Sequence, residues 1–135
     1  MKGREIYITK YDMERLRSVI EIYNGKDAPY LERLEEELDR AKIVDPQEIP
    51  SDVITMNSVV RIKNMDTGEE KTLILVFPGK ANATANAVSI LAPIGTALIG
   101  YREGANIEWE VPAGTKRLQI VEVVYQPERL GNYDL

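Results

Sequence analysis

Residues 89–104 read SILAPIGTALIGYREG. The stretch is apolar almost throughout, yet Pro93, Gly95, Gly100 and Gly104 interrupt it, which makes it a poor strand and a poor long helix. Proline is tolerated in the first turn of a helix and glycine commonly ends one. The spacing therefore predicts a helix of about two turns near Ala92 to Ile99, closed by Gly100. Gly100 to Gly104 would then turn the chain into the next element.

An apolar helix that short needs a surface to cover, and the segments on either side supply one. VVRIKN (59–64), a turn at MDTGE and KTLILVF (71–77) alternate as a β-hairpin, with Asp66 and Gly68 carrying the turn. NIEWEV (106–111), a turn at PAGTK and RLQIVEVVYQ (117–126) form a second hairpin. Each strand offers one face to a core, through Val59, Leu73, Leu75, Ile107, Trp109, Val111, Leu118 and Ile120, and one polar face. This is the pattern of a half-covered antiparallel sheet, and the helix at 92–99 is expected to plug its open face. GKANATANA (79–87) suits either a loop or a short turn of helix. After Pro127 the tail QPERLGNYDL leaves the last strand, with Leu130 and Tyr133 available to fold back on the body or reach the N-terminal helices.

Upstream of residue 45 the period changes. Met13, Leu16, Ile20 and Tyr23 form one helical stripe, and Leu31, Leu34, Leu38 and Ala41 form another at the same spacing. Between them YNGKDAP holds Gly25 for a helix end, Asp27 for an N-cap and Pro29 for a first turn. Thr9 and Asp12 resemble a capping box, with Ile8 and Met13 as a hydrophobic staple. These signals predict a helical hairpin over residues 10–43. Its outward faces carry Glu14, Arg15, Arg17, Glu32, Arg33, Glu35, Glu36, Glu37 and Asp39, so it is expected to project from the body as a solvated arm. The organisation that follows is a hairpin at 1–45, a linker rich in proline and acid at 46–52, and a sheet domain at 53–135.

Composition excludes several chemistries. The 135 residues include no cysteine and no histidine, so disulfides, thiolate chemistry, histidine-based catalysis and Cys/His zinc sites are ruled out. A formal net charge of -5 with no basic stripe argues against direct binding of nucleic acid. The apolar runs fall far short of the roughly 20 residues of a membrane span, and MKGREIYITK lacks the apolar core of a secretory signal. A cytoplasmic protein without catalytic residues, metal or cofactor is expected. PGKANATANA lacks the spacing and the strand-to-helix setting of a phosphate-binding loop.

The order helical hairpin, SDVITMNSVVRI, strand, APIGTALIG, REG, strand, PAG, strand resembles the bacterial Gre transcript-cleavage factors. Those factors pair an N-terminal antiparallel coiled coil with a C-terminal domain similar to the FKBP fold. Residues 51–125 carry the likeness, most specifically PIGTALIG. SILAPIGTALIGYREG and the C-terminal YQPERLGNYDL further resemble the Rnk family, regulators of nucleoside diphosphate kinase, which are Gre relatives with a short hairpin. The fold class implied is α+β: a short antiparallel coiled-coil hairpin followed by an FKBP-like antiparallel sheet domain with one short covering helix.

The resemblance implies binding to RNA polymerase near its secondary channel, the body on the rim and the hairpin pointing inward. The implied contacts are Leu91, Ala92, Pro93, Ile94 and Gly95. Leu91 and Ala92 stand where the Gre pattern has Asp-Ser, which removes a charge and a hydroxyl. Pro93 and Gly95 carry a structural reading of equal weight, as a helix start and a close-packing position. Gre factors hold magnesium with paired acids at the hairpin tip. Among the tip residues Asn24, Lys26 and Asp27 there is only one carboxylate, and Glu21 and Glu32 stand a turn or more away. Arms of about 14 residues reach only about 20 Å. A monomeric polymerase ligand is expected that competes with Gre-type factors without stimulating cleavage, and that acts on nucleoside diphosphate kinase indirectly. Two alternatives are a true cleavage factor using Asp27 and a peptidyl-prolyl isomerase. The isomerase rests on the FKBP likeness alone, with Phe77, Tyr101, Trp109 and Tyr125 as the domain's aromatics.

Overall fold

Thr9 opens the first helix as its sequence context predicts, its Oγ1 accepting the Asp12 N–H at 3.0 Å. The structure, a computed structural model, describes residues 6–23, 31–80, 85–111 and 114–131. Helix α1 runs Lys10–Tyr23 and α2 runs Leu31–Arg40. The tip signals, Asn24, Gly25, Lys26, Asp27 and Pro29, lie outside the described residues. The second helix stops three residues short of the predicted end, because β2 (Lys42–Val44) pairs in parallel with β1 (Tyr7–Thr9). These strands of three residues tie the two ends of the hairpin together at its base.

The body is a five-stranded sheet in the order β5-β4-β3-β7-β6. Its strands are β3 (Val59–Asn64), β4 (Glu70–Val76), β5 (Ala87–Ser89), β6 (Asn106–Val111) and β7 (Gly114–Tyr125). Both predicted hairpins form. Gly68 takes the left-handed conformation in the first turn, at φ 80°, and Asn64 Oδ1 accepts the backbone N–H groups of Asp66 and Thr67. An antiparallel sheet was expected from the sequence, but β5 lies parallel to β4; the two strands are joined by a connection too long for a tight hairpin.

The inward face of β3 is also corrected. Val60 and Ile62 are buried, whereas Val59, assigned to the core, is half-buried. The register gives the reason: Val60 stands opposite the inward Leu73, and Val59 stands opposite the half-buried Ile74. Leu73, Leu75, Ile107, Leu118 and Ile120 are buried as predicted, while the side chains of Trp109 and Val111 fall outside the described part. Two register shifts between β3 and β7 bend the sheet around the element it encloses.

That element is α3 (Pro93–Leu98), with Ala92 as N-cap and Pro93 in the first turn. Ala97, Leu98 and Ile99 are buried against the sheet. Gly100, at φ 83°, ends the helix where β1 crosses it, and Tyr7 N–H donates to its carbonyl at 3.2 Å. A Cβ on Gly100 would lie 2.8 Å from Ile6 Cβ.

The core does not stop at the sheet. Ile6, Ile8, Met13, Leu16, Leu34 and Leu38 belong to the same buried cluster as Val60, Leu75, Leu98 and Ile120. The hairpin was expected to project from the body; over its body-side half it is instead part of the core. The tail packs as well, through Gly131. Gln126 is buried and its Nε2 donates to the carbonyls of Pro50 at 2.9 Å and Val53 at 2.7 Å. Arg129 donates to the carbonyls of Ser51 and Val123, and Leu130 is exposed. Tyr133 lies outside the described residues.

Candidate functional site

The turn from β5 into α3 is held by its own backbone and small side chains. Ser89 accepts twice: its carbonyl takes the Ala92 N–H and its Oγ takes the Leu91 N–H, each at 3.0 Å. Ile90 N–H donates to the Val76 carbonyl, and Thr96 Oγ1 donates back to the Ile90 carbonyl at 2.8 Å. Leu91, Ala92, Pro93 and Ile94 emerge half-buried on this fixed shoulder. Gly95 does not, since it is buried, and a Cβ there would sit 2.2 Å from the Ser89 carbonyl oxygen and 3.1 Å from Leu75 Cδ1. Its packing role is therefore accounted for, and it offers no surface.

A helix of six residues is about 9 Å long, whereas a strand of seven residues runs about 23 Å. α3 therefore covers only part of the inward sheet face. Beside its first turn the described residues leave a depression of about 300 Å³ lined by Ile62, Asn64, Glu69, Lys71, Ile94, Lys116 and Leu118. A second depression of about 320 Å³ adjoins it, sharing Lys71 and Ile94 and reaching Thr72, Leu73 and Val88. Ile94 thus stands at the boundary of both. Of the residues around these depressions, only Ile94 was singled out from the sequence as a contact. The signal for the rest was present: Asn64, Lys71 and Lys116 occupy inward positions two residues from Ile62, Leu73 and Leu118. A polar residue in inward register marks the point where the cover ends.

On the outward face, which alternates with the inward Ile62 and Lys116, Arg61 pairs with Glu122 at 3.1 Å and Arg117 with Asp66; elsewhere on the body Arg102 pairs with Asp52 at 3.0 Å. Lys71 and Lys116 have no ion-pair partner among the described residues.

A buried polar joint fixes α1 against the body. Asp12 is buried, and its Oδ2 accepts the Met56 N–H at 3.1 Å while Oδ1 accepts from Arg15 at 2.6 Å. The Arg15 guanidinium lies over the rings of Tyr11 and Phe77, 3.9 and 4.6 Å from their centroids. Burial raises the Asp12 carboxyl above its ordinary range, and the Met56 N–H and Arg15 offset only part of that. Glu128 closes the joint from the tail by accepting from Thr55 Oγ1 at 2.7 Å; burial raises its carboxyl too. On the other flank α2 meets the body where Arg40 donates to the Tyr101 hydroxyl at 2.7 Å and pairs with Glu37 at 2.9 Å. Burial, followed by the charge of Glu37, raises the Tyr101 hydroxyl. Among the described residues no group of Asp or Glu side chains is arranged to hold a metal ion, and no helix is long and apolar enough to cross a membrane.

This division into a hairpin and a sheet body has counterparts. Residues 4–44 match the Rnk N-terminus, and residues 49–125 match the C-terminal part of the transcription elongation factors GreA and GreB. Over 134 residues the sequence is 40% identical to the regulator of nucleoside diphosphate kinase of Escherichia coli K12, covering 98% of each chain. The chain belongs to the Rnk family. Its kinship with Gre proteins extends to GreA of Clostridium botulinum strain Hall, 38% identical over 91 residues, which is 67% of this chain and 57% of that GreA. The solved structure of a GreA/GreB transcription elongation factor from Nitrosomonas europaea superposes with a TM-score of 0.75 at 44% identity, covering 91% of this chain and 100% of that one. As an Rnk relative the chain is a regulator related to GreA and GreB, and the depression beside α3 lies wholly within the Gre-like part.

Proposed function

We propose that this chain is a non-catalytic transcription regulator that binds RNA polymerase at the rim of its secondary channel and competes there with Gre-type factors. The observation that supports this reading is the fixed shoulder Leu91–Ile94, half-buried and standing beside a depression on the inward sheet face. Leu91, Ala92, Pro93 and Ile94 are apolar and only half-buried, and a contiguous apolar shoulder beside a concavity suits a protein partner.

In this reading the body docks on the rim and the hairpin occupies the channel entrance. Helix α1 has 14 residues, a length of about 21 Å. With a single carboxylate at its tip, the hairpin blocks access without supplying a magnesium site, so cleavage of backtracked RNA is not stimulated. Any effect on nucleoside diphosphate kinase is then indirect, through transcription.

The test is a competition. Core RNA polymerase should be retained by the immobilised chain, and the pure chain should slow GreA-stimulated cleavage in a backtracked elongation complex. Ile94→Asp should abolish both effects while leaving the melting curve cooperative. Failure to retain polymerase, or faster release of 3′ RNA fragments when the chain is added alone, would sink the proposal.

A further inference from the structure

We infer that the seam where the hairpin meets the body carries a second contact for RNA polymerase, a basic strip of Arg33, Arg40, Lys42 and Arg102 that recognises an acidic segment of the enzyme. This rests on the polymerase reading above and adds a contact separate from the shoulder. Arg33 and Arg40 are seven residues apart on α2 and share one of its faces, about 10 Å from each other. Arg40 bonds the Tyr101 hydroxyl, and Arg33 lines with Tyr101 a cleft of about 320 Å³ between α2 and β6. From there the strip passes to Tyr7, whose N–H donates to the Gly100 carbonyl. Lys42 stands in register with Tyr7, and Lys42 and Arg102 lie over its ring, 5.8 and 5.9 Å from the centroid. The cations come from α2, β2 and the turn after α3, so the sequence shows no basic stripe where the fold assembles one.

Charge and geometry select the occupant. Arg33 and Lys42 have no ion-pair partner among the described residues, in a chain whose formal net charge is -5. A positive strip on an acidic molecule draws negative charge to one place. Glu37 beside Arg40 and Asp52 beside Arg102 set carboxylates within the strip. These oppose the unbroken charge of a phosphate backbone, whereas separate carboxylates on a protein can reach Arg33 and Lys42 between them. Cations already lie over the rings of Tyr7 and Tyr101, which makes both poor platforms for stacked bases. Arg33, Arg40 and Lys42 belong to the hairpin and Arg102 to the body, so one acidic segment lying along the strip touches both halves of the molecule.

The experiment measures binding of the full chain to core RNA polymerase across a salt series, for wild type, for Arg33→Glu with Lys42→Glu, and for Lys63→Glu. Lys63 lies on the outward sheet face and serves as the control for net charge. The double variant should bind at least about fivefold more weakly, with a shallower salt dependence and an unchanged melting curve, while Lys63→Glu binds as wild type does. If charge reversal lowers the melting temperature, the neutral pair Arg33→Gln with Lys42→Gln carries the same comparison. A photo-reactive residue in place of Lys42 should cross-link a polymerase peptide rich in Asp and Glu. Tight binding by wild type with equal affinity and salt dependence in the double variant overturns the inference and leaves the proposed function standing. An equal loss in Lys63→Glu overturns it too, because net charge and not the strip would then be read. Cross-linking to a basic segment has the same force, as does retention of free RNA that depends on Arg33 and Lys42 while polymerase binding does not. No binding by wild type overturns both the inference and the proposed function.

Discussion

Gly95 was legible as a packing position from its place between Pro93 and Gly100, and its environment makes a sharp test. With the Ser89 carbonyl 2.2 Å from where a Cβ would stand, Gly95→Ala should destabilise the fold by about 1–3 kcal/mol in urea titration. Gly79 has nothing within 4 Å of its Cβ position, so Gly79→Ala serves as the near-neutral control. Asp12 was only half legible. Its place three residues after Thr9 announced the helix start, but its main partner, the Met56 N–H, is 44 residues away and no local pattern encodes it. The raised carboxyls of Asp12 and Glu128 have a pH consequence. Each titrates at its ordinary value when unfolded, so between the ordinary and raised values the native chain holds more protons than the unfolded one. The stability of wild type relative to Asp12→Asn with Glu128→Gln should therefore fall as pH rises from about 4 toward neutrality. Paired thermal melts across that range would show no such trend if the two sites do not titrate this way.

Among elements, α3 was readable because proline and glycine bracket it, and the two hairpins because their residues alternate. The strands β1 and β2 were not, since three residues carry no period and their pairing joins positions 35 residues apart in sequence, Tyr7 with Lys42. The tail was left open for a similar reason. Its anchor is Gln126, a polar residue that sequence alone places at a strand end, whereas the structure buries it under the carbonyls of Pro50 and Val53. Gln126→Ala leaves both acceptors without that donor and should cost about 1–3 kcal/mol, read as a lower urea midpoint. Deleting residues 127–135 should also lower the melting temperature, because the Glu128 and Arg129 bonds to Thr55, Ser51 and Val123 go with it. A free tail would leave it unchanged.

At the scale of the molecule, a helical hairpin and a sheet body were both visible in the periodicities, but their fusion was not. Stripes such as Leu16 and Leu34 look alike whether they face each other or a sheet; only the three-dimensional cluster shows that they share a core with Leu75 and Ile120. The depression beside α3 is not encoded in the apolar positions but in the polar ones of the same register, Asn64, Lys71 and Lys116. A shared core predicts a single unfolding event. Helix loss followed by circular dichroism and emission from the lone tryptophan, on β6, should give coincident urea transitions. Separated transitions would show that the hairpin melts by itself.

The Asp12 joint makes the hairpin a ruler with a fixed zero. Because α1 is pinned at its base by a buried carboxylate, residues inserted higher up, seven per arm, would move the tip outward by about 10 Å along an unchanged line. The depth reached from a docked body is then set by the number of residues beyond the joint, and it can change without altering the face that docks.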